Sequence, residues 1–295
     1  MRHLLTNRQL SHTVPGMRIE IWADVVSGWA HVGKRRLEKA LAGWQGEAVE
    51  VVWRPYQIDP SAPAGTLEAH RLIALAYEKG GAELQSRVLE RVLHAHFVEV
   101  RDISDPAVLT EIATEAGLAE EAGHTGSGAA PQTPPGAELT RELLLIGKAK
   151  GVHTSPTIVV GDLALEGAQP PEAIRAFLEE ASERTPRRLP AEVERLRHAE
   201  SLLDQRDPLG ALTLLRPLMR EHGDDRGVRM LAARAYFGSA QLNRARTALE
   251  SLVSESPDDS YARHLLGRTL QRQGRHEEAA THLALAATMT PDYAT

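Results

Sequence analysis

Ala211, Ala245 and Ala279 stand 34 residues apart, and so do Leu215, Leu249 and Leu283. The same interval relates Ala199, Ala233 and Gly267. It also relates Pro257 to Pro291, with Gly223 in the matching place of the first unit, and it aligns Tyr236 with Leu202 and Leu270. One interval shared by several columns restricts residues 191–295 more tightly than any other feature of the chain. Small residues let two helices approach closely, large apolar ones fill the space between them, and a proline ends the second helix. Each unit buries its apolar face only against its neighbours, so the pattern specifies stacked helical hairpins and no strand.

The three units, at about 192–225, 226–259 and 260–293, resemble the tetratricopeptide repeat. In that family the first helix of each repeat builds the concave face. The alignment therefore assigns Met230, Arg234 and Phe237, then His264, Arg268 and Arg272, to a peptide groove for a protein partner. The Lys/Asn/Arg pattern of the family's clamp for chaperone C-termini is not reproduced. No solvating helix follows Pro291, so the end of the array is expected to pack on the rest of the chain or on another subunit, a homo-oligomer included.

A chain of 295 residues has room for about two domains at a soft ~150 residues each. Residues 1–16 read as a loose leader, with Met17 an alternative start, and 185–190 as a linker inside RTPRRLP. Between them, alternation of Ile19 and Ile21 marks a strand over Arg18–Val26, and the spacing of Val32, Leu37, Ala40, Leu41 and Trp44 marks a helix over Trp29–Trp44. A second strand covers Glu47–Tyr56. Helical patterns follow from Thr66 to about Gly117, broken at Gly80–Gly81 and near Ser104–Pro106. A low-complexity loop (Gly123–Gly136) and another helix (Ala137–Lys150) complete a helical insertion of about 66–150. Thr157–Val160 and Leu163–Glu166 form a hairpin around Gly161–Asp162, and Pro170–Arg184 is a terminal helix.

The stretch WADVVSGWAHVGKRRLEKAL (Trp22–Leu41) resembles DsbA-like thioredoxin-fold proteins. The resemblance is to the branch of frenolicin-type oxidoreductases and 2-hydroxychromene-2-carboxylate isomerases. Trp29 fits the tryptophan of that branch's Cys-Pro-Trp-Cys turn, and Gly33–Lys34–Arg35–Arg36 fits the basic stretch that follows it. Asp102–Leu118 fits its helical insertion, Ser155–Pro156 its cis-proline, and Glu166–Ile174 its last strand and helix start. The resemblance covers residues 17–184 and implies an α/β thioredoxin-like fold with a helical insertion, here followed by an all-α repeat domain.

It also implies an oxidoreductase, and there the chain departs. It has no cysteine, so Ser27 and Ala30 stand in the two thiol positions and Gly28 in place of proline. Thiol–disulfide exchange needs a thiolate that attacks a disulfide sulfur, and neither residue supplies one. What the residues retain is a helix start, where free N–H groups and the helix dipole favour an anion. Ser27, Gly28, Trp29, Ala30, Ser155 and Pro156 are the candidate ligand cleft. The resemblance extends to kappa-class glutathione transferases, in which a serine in this place hydrogen-bonds the glutathione sulfur. It implies a low-molecular-weight thiol as ligand of Ser27. His31 lies four residues on, so a Ser27–His31 dyad with Asp24 as its acid is the catalytic candidate, and Ser27 as a simple helix cap is its competitor. The run Lys34–Arg36 reads as a solvated helix face, and His94 and His96, two apart, fall on different faces.

A net charge of −6 and 4% aromatic residues provide neither the electrostatic footprint nor the stacking platform of a nucleic-acid protein. No stretch reaches the ~18 apolar residues of a membrane span, and a cytoplasmic location is expected. Two function classes stay open: a non-redox binding protein with a repeat module, and an isomerase- or transferase-like enzyme working through Ser27.

Overall fold

The computed structural model describes residues 16–59, 65–118, 134–184 and 189–293. The leader up to residue 15 and most of the linker (185–188) lie outside the described residues. The chain divides into two compact units, residues 1–140 with 153–187, and residues 141–152 with 188–295.

The first unit is built on a four-stranded sheet in the order β2-β1-β3-β4. β1 (Met17–Ala23) pairs parallel with β2 (Val49–Pro55) and antiparallel with β3 (Thr157–Val160), which pairs antiparallel with β4 (Leu163–Glu166). This is the thioredoxin-like arrangement the order of elements implies. β1 is central and covered on both faces. Ile19 and Ile21 are buried on one side and Trp22 on the other, so alternation fails at its end. α1 (Gly28–Ala42) makes the parallel crossover and packs with α5 (Pro171–Glu183). α2 (Gly65–Phe97) is broken where the sequence breaks it: Gly81 adopts φ +66°, open to glycine and strained for other residues. α3 (Pro106–Glu115) starts on an Asp105 cap.

Two expectations are corrected here. The first strand ends at Ala23 and not Val26, because Asp24 turns inward and Ser27 N–H bonds back to its carbonyl. The run Lys34–Arg36 is not a solvated face. Lys34 is buried and ion-paired with Glu38 and with Glu90 (2.7 Å), Arg35 shares both acids, and Arg36 donates to the Ala168 carbonyl. Although burial opposes its charge, the Arg35 and Lys34 hydrogen bonds pull the Glu90 carboxyl down to about 2.

In the second unit, the repeats form three helix pairs: α6 (Ala191–Asp204) with α7 (Pro208–Glu221), α8 (Arg226–Gly238) with α9 (Leu242–Glu255), and α10 (Ser260–Arg272) with α11 (His276–Met289). A 3-10 turn, Pro291–Tyr293, follows. The sequence period reappears in the backbone. Asp225 and Asp259 cap the first helices of successive repeats, and Arg206, Ala240 and Gly274 all take positive φ in the turn within each pair. Ala211, Ala245 and Ala279 are almost fully buried, and a Cβ on Gly267 would meet Leu283 at 2.6 Å.

α4 (Ala137–Ala149) departs from the insertion read from the sequence. Its residues from 141 onward belong to the second unit, where Leu145, Ile146 and Ala149 pack on the first repeat's core. Arg195 pairs with Glu142 at 3.0 Å, and Ser201 Oγ donates to the Ala149 carbonyl at 2.8 Å. The stretch supplies the cover that a first repeat needs on its outer side.

Ala245 is fully buried in the core of the repeats, so extra methylenes there must displace their neighbours. Ala245→Leu is expected to cost about 1–3 kcal/mol through overpacking. Urea unfolding followed by far-ultraviolet ellipticity measures this, and an unchanged midpoint would contradict the repeat packing.

Candidate functional site

The site forms where β1 ends and α1 begins. Ser27 has extended backbone (φ −78°, ψ 116°) and caps α1, its Oγ accepting the Ala30 N–H at 3.3 Å. Such a cap stabilises a helix by about 1 kcal/mol. Ser27 is 7% exposed and Ala30 2%. The residues around them are apolar and open to solvent: Trp29 is 64% exposed, Val26 37% and Ile58 58%.

The loop before β3 closes on this turn. The Ser155–Pro156 peptide bond is cis, as the resemblance implied. Pro156 packs so closely on α1 that a Cβ on Gly33 would sit 2.7 Å from its Cγ, which explains the glycine in Gly33–Lys34. Ser155 Oγ accepts the Asp24 N–H at 2.9 Å. The proline loop is thus tied both to the end of β1 and to the first turns of α1.

Asp24 is the residue on which the turn is organised. It is 3% exposed, and its carboxylate accepts the Ile58 N–H at 2.9 Å and the Val26 N–H at 3.4 Å. His70, from α2 and equally buried, points Nε2 at Asp24 Oδ1 from 3.7 Å. Burial works against the Asp24 charge, but the His70 ring and the two N–H groups outweigh it and hold the carboxyl below its ordinary range. The pair lines a cavity of about 10 Å³ together with Ala30, Trp53 and Arg54, room for about one water molecule.

The structure does not assemble the Ser27–His31 dyad. Among the described residues Ser27 Oγ bonds only the Ala30 N–H, and the His31 ring lies 5.2 Å from that of Phe97 with its Nδ1 buried and unpartnered. Asp24, the dyad's candidate acid, faces His70 instead. No single sequence signal joins Asp24 to a histidine so far along the chain, so the pair is visible only in the fold. His94 pairs with Glu99, and among the described residues no group of three or more His, Asp or Glu side chains is placed to hold a metal.

In the second unit the groove residues line up on the first helices. Arg234 is held by Glu200 (3.2 Å) and Asp204 (3.4 Å). Phe237 is partly buried on the core, and the Arg272 guanidinium sits 4.6 Å above its ring. The His264 ring stacks on Tyr293 at 4.5 Å, while Arg268 is exposed.

The profile of the DSBA-like thioredoxin domain matches residues 18–179, and that of the tetratricopeptide repeat matches 202–269 and 241–295. Among solved structures, a probable DsbA oxidoreductase from Streptomyces coelicolor is similar at 28% identity and a TM-score of 0.50. The match covers 59% of this chain and 94% of that one. A periplasmic thioredoxin-like protein from Salmonella enterica serovar Typhimurium is similar at 19% identity and a TM-score of 0.42, over 57% of this chain and 85% of that one. No curated protein matches. The profile match over residues 18–179 reaches the family and not the frenolicin-type branch.

Proposed function

The chain belongs to the DsbA-like thioredoxin family without owning a thiol, and from that premise we propose that it is a non-redox binding protein whose repeats engage a protein partner. The observation that carries this reading is the turn at residues 27–30. It keeps the helix start and the neighbouring proline loop, yet holds Ser27 and Ala30 where exchange chemistry needs sulfur. Around the turn, Trp29, Val26 and Ile58 offer an apolar rim of the kind that marks contact surfaces. Tetratricopeptide repeats are an interaction module, and the array has its caps, turns and cores in place. The enzyme reading through Ser27 and a small thiol has less in its favour, since the hydroxyl is nearly buried and its oxygen is engaged by the Ala30 N–H.

The folded chain is expected to leave insulin disulfides unreduced and a model dithiol unoxidised at the rate of buffer alone. A photo-crosslinking amino acid at Gln271, on the exposed side of α10, is expected to give discrete adducts in cells that excess unlabelled chain competes away. Turnover in the thiol assays, or no competable adduct, would overturn the reading.

A further inference from the structure

We propose that α10 receives an extended acidic segment of the partner protein, in which carboxylates recur at every second residue. This rests on the reading of the repeats as the interaction module. The repeat period makes a ladder of equivalent positions across the first helices: Glu200, Arg234 and Arg268 in one column, Asp204, Gly238 and Arg272 in the next. The lower rungs satisfy one another, because Arg234 is shared between Glu200 and Asp204. The last rungs are different. Among the described residues Arg268 has no carboxylate partner. Arg272 has none either: it donates to the Phe237 carbonyl at 2.7 Å and lies over the Phe237 ring, contacts that fix the guanidinium in place and leave its charge uncompensated.

Both arginines are exposed and one helical turn apart, with His264 one turn before them on the same stripe. The His264 ring is flanked by Tyr293, and its Nδ1 is buried without a partner. Burial, with the Arg268 charge as the smaller cause, holds this imidazole below its ordinary pKa, so the stripe presents two permanent cations beside an uncharged polar ring. Guanidinium groups bind carboxylates through paired, charge-assisted hydrogen bonds.

Spacing decides which acidic segment fits. Four residues of α-helix advance about 6 Å along the axis. An extended chain advances about 6.6 Å per two residues and returns its side chains to the same face. Alternate acids therefore meet Arg268 and Arg272 from one side, whereas adjacent acids point apart. The net charge of −6 favours a short acidic segment over a nucleic acid, whose long phosphate chain would be repelled by the rest of the surface.

Fluorescence anisotropy of the full-length chain tests this with three labelled peptides: glutamate alternating with serine, the same composition with its glutamates in one block, and lysine alternating with serine. The alternating glutamate peptide is expected to bind, several-fold tighter than the blocked one, and increasingly weakly as salt rises. Arg268→Glu is expected to weaken it about tenfold or more, Arg268→Lys much less, and Arg216→Glu, on exposed α7 surface, not at all. Unaltered binding by Arg268→Glu, equal binding of the two glutamate peptides, or an oligonucleotide that displaces the peptide would overturn the proposal. If neither glutamate peptide binds while competable adducts still form at Gln271, the acidic segment is excluded and the interaction reading stands.

Discussion

The double variant Ser27→Cys, Ala30→Cys is expected to form an intramolecular disulfide and to reduce insulin, an activity the parent chain, which has no cysteine, is expected to lack. Ser27 already holds the helix-cap conformation, and its Oγ accepts the Ala30 N–H. A sulfur in that place faces the free N–H groups of the first turn, which lower a thiol pKa from its free value of about 8.5. Position 30 lies under it, buried, and lines the same cavity as Asp24 and His70. The two side chains are one turn apart on one helix face, where their Cβ atoms are about 5–6 Å apart and a small adjustment closes the bond. Gly28 occupies the first helical position, and nothing lies within 4 Å of the Cβ it lacks. Proline is favoured at that position, so adding Gly28→Pro should leave the fold intact and stiffen the turn. Thiol titration under oxidising conditions and insulin turnover measure the outcome. Two free thiols and no turnover in a folded double variant would show that residues 27–30 no longer hold an exchange-competent geometry.

The elements of this site differ in how far the sequence announces them. Ser27 and Ala30 are legible because Trp29 between them and Gly33–Arg36 after them mark the turn even without its cysteines. The repeats were legible because their period is carried by residues whose size is dictated by helix contact, Ala245 and Gly267 among them. α4 was only half legible. Its apolar stripe announces a buried face, but periodicity does not say against what it is buried, and Leu145 and Ile146 lie on the repeat core. Lys34 reads as surface in a charge run, because nothing local reveals that Glu90 waits on α2. Helical spacing alone points to a Ser27–His31 pair, but in the fold the hydroxyl caps the helix and the imidazole lies against Phe97.

Asp24→Ala is expected to destabilise the first unit by about 3 kcal/mol, near the top of the ordinary range for one substitution. The change leaves the Ile58 N–H without its acceptor and His70 facing a void, and each buried polar group left unpaired costs about 1–3 kcal/mol. The backbone bond from Asp24 N–H to Ser155 Oγ survives in principle, but it loses the side chain that fixes the segment around it. Asp24→Asn retains an acceptor for one N–H and should lose less. The two variants also differ from the parent in acid. A carboxyl held below its ordinary value of 3.8 contributes stability that is complete above that pH and lost as pH falls towards the lower folded value. The parent should therefore shed this contribution in acid, while Asp24→Asn has none to shed there. All four tryptophans, Trp22, Trp29, Trp44 and Trp53, lie in the first unit, so urea unfolding followed by tryptophan fluorescence reads that unit alone. An Asp24→Ala midpoint equal to the parent's would show that the carboxylate does not hold the turn together.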